Sequence, residues 1–342
     1  MGSDHTSRPQ GYYEGVLRAE GKELERLIEE SRELSWRYHG RKIRFYAPGF
    51  VHYETPYFCS SPHAFPSISI TDRRCALRCK HCQGRILETM IPATTPEELI
   101  EVCKNVKKRG GVGCLISGGC LPDGSVPLDG FVDAIAEVKR RLGLTVVVHT
   151  GLISGVTARG LRWAGVDAAL IDVIGSDETI REVYRLDAGV DDYERSLRAL
   201  CEAGIPTVPH VLVGLHYGRL RGELRSLEMI AKYEPAAVIV IALIPIEGTP
   251  MGKVEPPSPE DVLRVLVAAR FMLPRGTPLV LGCARPRGEH RARTDRSAVR
   301  AGVNAIAFPS VGAIRLAEEM GLETSFSPLC CSQAFVDIMN SP

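Results

Sequence analysis

Charge of either sign is not in excess in this 342-residue sequence: 42 Lys and Arg against 41 Asp and Glu leave a formal net charge of +1. No overall basic field exists to draw nucleic acid, and no nucleic-acid partner is expected. No apolar run approaches the ~20 residues of a membrane span, so no membrane partner is expected either. Residues 1–10 lack the apolar segment of a signal peptide and read as a disordered tail, which points to a cytoplasmic protein. Internal repeats and low-complexity tracts are missing as well. What remains is the composition of a globular enzyme, 44% hydrophobic and 24% charged. It is long enough for one large α/β barrel with short extensions.

Cysteine is the residue present in excess. Eleven in one chain, in a reducing compartment, point to metal or redox chemistry more than to disulfides. Three fall in Cys75-Ala-Leu-Arg-Cys79-Lys-His-Cys82, a C-x3-C-x2-C spacing just after the apolar alternation Ser67–Thr71. Three thiolates on one loop can hold three irons of a [4Fe–4S] cluster and leave the fourth open to a substrate or cofactor. Structural zinc is the alternative, but it wants four protein ligands, usually as two C-x2-C pairs. No second pair follows within twenty residues of Cys82.

The rest of the chain alternates between two periodicities. Tyr13 to Trp36 has helical spacing, and Lys42 to Phe65 reads as an aromatic-rich extended passage containing Cys59. Eight β-branched runs follow: 67–71, 113–117, 144–149, 168–174, 206–213, 236–242, 278–282 and 304–308. Helical patterns separate them, including 95–108, 128–141, 193–203, 223–233, 259–272 and 311–320. Thr95-Pro-Glu-Glu and Ser258-Pro-Glu-Asp carry an N-cap, a first-turn proline and acids at the positive end of the helix dipole. The expected fold is a TIM-like (β/α)8 barrel over residues 66–320. A helix and extension over 11–65 precede it and a tail over 321–342 follows. A six-strand partial barrel is the competing architecture. In either, the loops after the strands carry the chemistry.

The cysteine loop resembles that of the radical S-adenosylmethionine (radical SAM) enzymes, which place it after the first barrel strand. There the open iron chelates SAM, and one electron cleaves SAM to methionine and a 5′-deoxyadenosyl radical. The resemblance implies Cys75, Cys79 and Cys82 as cluster ligands. It implies Ser117-Gly118-Gly119 at the SAM amino group, with Cys120 where the family has an acid. Val211–Leu215, with Gly214, resembles the segment beside adenine. Ile244–Met251, with Gly248 and Thr249, resembles the loop that reads the adenine edge. Asp172, at a strand end, is a candidate for the ribose hydroxyls, as acids are in dinucleotide folds. His149 and His210 are candidate substrate contacts, and Arg285 or Arg287 could orient a polar end of the substrate.

A barrel brings strand ends and both termini together, so the remaining cysteines could meet around an auxiliary [4Fe–4S] cluster. The expected set is Cys59, Cys120, Cys283 and one of Cys330 or Cys331, with Cys114 as substitute. Cys103 and Cys201 lie in helices and read as small buried hydrophobes. Residues 42–325 resemble biotin-synthase homologues that form one half of two-protein lipoyl synthases, notably in 75–90, 114–120 and 282–288. This implies a sulfurtransferase that takes sulfur from the auxiliary cluster. Its partners would be an octanoylated carrier protein or peptide, a second radical SAM protein and an electron donor such as ferredoxin. The alternatives are biotin-synthase-like sulfur insertion, a single-cluster lyase or mutase (methylornithine-synthase-like or cofactor-maturing), and a zinc-stabilised scaffold.

Overall fold

A computed structural model describes residues 9–339; residues 1–8, most of the expected disordered tail, lie outside the described residues. The strands are β1 (Lys42–Tyr46), β2 (Ser67–Ser69), β3 (Ile91–Pro92), β4 (Gly113–Ser117), β5 (Thr145–His149), β6 (Ala168–Asp172), β7 (Thr207–Val213), β8 (Val238–Ala242), β9 (Leu279–Leu281), β10 (Ala305–Ala307) and β11 (Glu323–Ser327). The helices are α1 (Gln10–Arg18), α2 (Gly21–His39), α3 (Pro96–Lys108), α4 (Val132–Leu142), α5 (Gly155–Ala164), the single turn α6 (Asp177–Thr179), α7 (Val190–Glu202), α8 (Glu223–Ala231), α9 (Pro259–Met272), α10 (Glu289–Arg300), α11 (Val311–Glu319) and α12 (Ala334–Met339).

All pairings between these strands are parallel, in the order β11-β1-β10-β9-β8-β7-β6-β5-β4-β2-β3. The eight expected strands are β2 and β4 to β10, curled into a TIM-like half-barrel of alternating strands and helices whose sheet stays open, with β11 and β3 at its edges. Parallel strands covered on both faces read as unbroken apolar runs, as Val146-Val-Val148 and Val238-Ile-Val-Ile241 do. Thr95 and Ser258 cap α3 and α9 through reciprocal bonds with Glu98 and Asp261.

Three features differ from expectation. The N-terminal helix is two helices, broken where Gly21 takes φ +52°, a value glycine reaches at little cost. The extension contributes β1, which lies between β10 and β11 and lengthens the sheet beyond the eighth strand. The tail contributes β11 and a 3-10 turn at Cys331–Gln333 that leads into α12. The segment 47–66 then crosses from β1 toward β2, held by Ala47 N–H on the Ser327 carbonyl and Val112 N–H on that of Ala64.

Candidate active site

A cavity of about 420 Å³ opens at the C-terminal ends of the strands. Its wall collects chemistry from residues far apart in sequence. Cys75, Cys79 and Cys82 come from the loop after β2, and Ser117, Gly118, Gly119 and Cys120 from the end of β4. His149, Asp172 and His210 end or lie in β5, β6 and β7; Cys283 follows β9, and Cys330 and Cys331 follow β11.

The cysteine loop is wound tightly, with Asp72, Arg78 and Gln83 all at positive φ. The Cys82 and Gln83 N–H groups donate to the Cys79 carbonyl, and Ala76 N–H donates to the Cys120 carbonyl at 2.8 Å. Gly119 N–H donates to Thr71 Oγ1 at 2.7 Å. A Cβ at Gly119 would lie 2.0 Å from the Arg74 carbonyl oxygen and 2.6 Å from Cys75 Cβ. The loop therefore rests on bare backbone, and the second glycine is a packing requirement. Sulfur, imidazole and thiol donors crowd here: ligand atoms of Cys79, His81 and Cys82 lie within 4.8 Å of one another. A hydrogen bond with the Cys120 thiol draws Cys75 down to about 5. Cys82 falls to about 4 through its bond with Cys79, whose own pKa rises in return. Two of the three thiols ionise easily, as metal ligation needs, and the three-cysteine donor set fits a [4Fe–4S] site.

Across the mouth, His149 Nε2 lies 3.3 Å from Asp172 Oδ1, and His210 Nδ1 lies 3.9 Å from the same oxygen. Burial opposes charge on Asp172, but the charge and hydrogen bond of His149 outweigh it and hold the carboxyl at about 2. Burial likewise opposes charge on His149, yet Asp172 raises its pKa. Burial dominates at His210 and lowers it to about 4. On the third side, a bond with Cys331 lowers Cys330 to about 7, and burial raises Cys283 to about 11.

Several assignments require correction. Cys59 is exposed and absent from the cavity wall; Phe58 beside it stacks on Phe326 of β11. Cys114 points the wrong way, because alternation along β4 turns Leu115 and Ser117 to the cavity and Cys114 to the helices. There its sulfur lies 4.0 Å from that of Cys103. Arg285 is fully buried and ion-paired with Asp295 at 2.7 Å, and it donates to the Gly282 and Phe308 carbonyls. It is off the cavity wall with all three nitrogens engaged, out of a substrate's reach, and Arg287 is exposed. Cys201, expected to be buried, is exposed on α7.

Gly214, Gly248 and Thr249 are not on the cavity wall either. Gly214 (φ +72°) packs on Pro257 and donates to Glu223; Gly248 (φ +76°) lies under Arg85; Thr249 Oγ1 donates to the Ile246 carbonyl. Sequence reading missed His81, Tyr184 and Tyr193, all on the wall. His81, between the candidate ligands Cys79 and Cys82, was the legible one. Tyr184 ends a π-turn (Ile180–Tyr184) that no periodicity announces.

Comparison with known proteins agrees with this arrangement. The Radical SAM superfamily profile matches residues 69–218, and the Biotin and Thiamin Synthesis associated domain matches residues 240–324. The chain thus carries a radical SAM domain followed by a biotin-and-thiamin-synthesis-associated domain, and it is similar to the biotin-synthase-like radical SAM enzymes. It is 24% identical over 261 residues to 3-methylornithine synthase of Methanosarcina barkeri, covering 76% of this chain and 69% of that protein. It is 28% identical over 225 residues to biotin synthase of Cenarchaeum symbiosum, covering 63% and 66%. A crystal structure of methylornithine synthase superposes with a TM-score of 0.65 at 20% identity, covering 96% of both chains. The hydrogenase maturase HydG superposes with a TM-score of 0.65 at 16% identity, over 95% of this chain and 73% of that one. Among the described residues no helix is long and apolar enough to cross a membrane.

Proposed function

We propose that this radical SAM enzyme is a sulfurtransferase that inserts sulfur from an auxiliary [4Fe–4S] cluster into an unactivated C–H carbon. Its substrate is an octanoyl-lysine on a carrier protein or peptide, and the chain acts as one component of a two-protein lipoyl synthase. One observation carries the reading: Cys283, Cys330 and Cys331 line the same cavity as Cys75, Cys79 and Cys82. A sulfur source must stand within reach of the carbon from which hydrogen is taken.

The chain's own residues divide the work. Cys75, Cys79 and Cys82 hold the first cluster, and the bare backbone at Gly118-Gly119 lets SAM approach it. Asp172, charged at neutral pH, offers Oδ2 to the ribose hydroxyls while Oδ1 faces His149. Leu115, Leu170, Ile239 and Ile241 give the cavity an aliphatic wall that suits an alkyl chain and excludes water. When bound, SAM with its cluster would supply a hydrogen-abstracting radical, and a second cluster held by Cys283, Cys330 and Cys331 would supply the sulfur for the C–S bond.

A second reading, a single-cluster lyase or mutase, is favoured by the likeness to 3-methylornithine synthase. Anaerobic incubation with an octanoyl-lysine peptide, SAM and dithionite, read by mass, separates the two. Added sulfur supports the sulfurtransferase; 5′-deoxyadenosine formed with no sulfur in the peptide, under full metal loading, refutes it.

A further inference from the structure

The auxiliary cluster proposed above has only three cysteines within reach. Of the eleven, Cys75, Cys79 and Cys82 belong to the first cluster, and Cys120 is packed against their loop, its carbonyl accepting the Ala76 N–H. Cys103 and Cys114 face each other behind β4, and Cys59 and Cys201 are exposed. A cluster with four irons and three thiolates has one iron to be filled by another donor.

Strand alternation shows where that donor stands. Cys330 and Cys331 pack in the barrel lumen with Val147, Leu170, Val208 and Ile239. Side chains two residues on along each strand share that face. His149, Asp172, His210 and Ile241 thus form the next layer toward the mouth, and all four line the cavity. The turn that begins at Cys331 packs against β6 itself. His210 stands in the same layer, but its Nδ1 lies 3.9 Å from Asp172 Oδ1 and makes no hydrogen bond among the described residues, so its ring has no such orienting partner.

The bonding of His149 is that of a metal ligand. Nε2 engages Asp172 Oδ1 at 3.3 Å, while Nδ1 makes no hydrogen bond among the described residues. Metal-bound histidines almost always present their second nitrogen to a carboxylate or carbonyl, which fixes the ring and raises its basicity. Two other donors fail on position. Arg285 is committed to Asp295, and Ser332, though buried, is off the cavity wall.

We propose that His149 ligates the fourth iron of the second cluster through Nδ1, beside Cys283, Cys330 and Cys331, with Asp172 orienting the ring. This rests on the second cluster and assigns its one non-thiolate site. A neutral imidazole leaves the cluster one negative charge lighter than a fourth thiolate would, and imidazole ligation raises cluster potentials.

The test uses full-length protein with 15N-labelled histidine, reconstituted anaerobically and reduced without SAM, read by pulsed EPR for histidine nitrogen coupling to cluster iron. The Cys75→Ala/Cys79→Ala/Cys82→Ala variant isolates the second cluster at about four irons per chain. Wild-type protein gives the same readout should that variant fold poorly. Histidine coupling should be present, survive His210→Ala and Ser332→Ala, and vanish in His149→Ala. His149→Cys should keep about four second-cluster irons with no nitrogen coupling. Four irons without histidine coupling, or coupling lost through His210→Ala in place of His149→Ala, overturns the ligand assignment alone. Wild-type protein that saturates at about four irons, with none in a folded triple variant, removes the second cluster and the proposal with it.

Discussion

Replacing Arg285 with Met separates a structural arginine from a substrate-binding one. Arg285 and Asp295 are both fully buried and paired at 2.7 Å, and the Asp295 carboxylate also accepts the Ser310 N–H. Arg285 further donates to two carbonyls, Gly282 and Phe308, which join the loop after β9 to the end of β10. Removing the guanidinium leaves a buried carboxylate without its counter-charge, which costs about 3–5 kcal/mol. The variant should therefore melt roughly 8 °C lower, at about 2 °C per kcal/mol for a chain of this size. The double change Arg285→Met/Asp295→Leu removes both charges and should recover a good part of the loss. The assay is an anaerobic thermal melt of the metal-loaded protein, alongside the KM for the octanoyl-lysine peptide well below the new melting point. A melting point lowered by less than about 2 °C with a raised KM would return Arg285 to the substrate site and refute its structural role.

Other substitutions test other parts of the site. Glu223 is buried and accepts the Gly214 N–H, and burial raises its carboxyl from 4.5 to about 7. The folded state then holds a proton the unfolded chain has lost, so stability falls as pH rises from 4.5 to 7 and stays reduced above. Glu223→Gln should keep the bond and gain roughly 3 kcal/mol at pH 8 by urea denaturation, and nothing near pH 4; an unchanged pH profile contradicts this. Gly119→Ala drives a Cβ to 2.0 Å from the Arg74 carbonyl oxygen. It should displace the cysteine loop and abolish 5′-deoxyadenosine formation; retained cleavage would show the loop does not depend on that contact. Cys283→Ala should lower iron by about half while SAM cleavage continues, whereas Cys59→Ala should change neither; an iron loss in the Cys59 variant would reinstate it as a ligand.

The strands of the barrel were legible because burial on both faces writes continuous apolar runs. The added strands were not: β11 reads Glu-Thr-Ser-Phe-Ser and is partly exposed, and β3 has two residues. The three-cysteine loop was legible because its ligands are local in sequence. The second thiol group was legible only in part, since topology brings Cys283 and the tail to one mouth but says nothing of side-chain direction. Cys59 turns outward and Cys114 has the wrong strand parity. Arg285 read as a candidate substrate contact because its partner, Asp295, sits on the next helix, where no local pattern pairs them. His149 and Asp172 were each visible, but their hydrogen bond depends on the register of β5 against β6.

The most direct test of the central claim is the iron and sulfide content of anaerobically reconstituted full-length protein, with Mössbauer spectroscopy to identify the cluster type. Two [4Fe–4S] clusters in one cavity require about eight irons and eight sulfides per chain. A fully loaded preparation that saturates at about four, all of it lost on replacing Cys75, Cys79 and Cys82, would contradict the account.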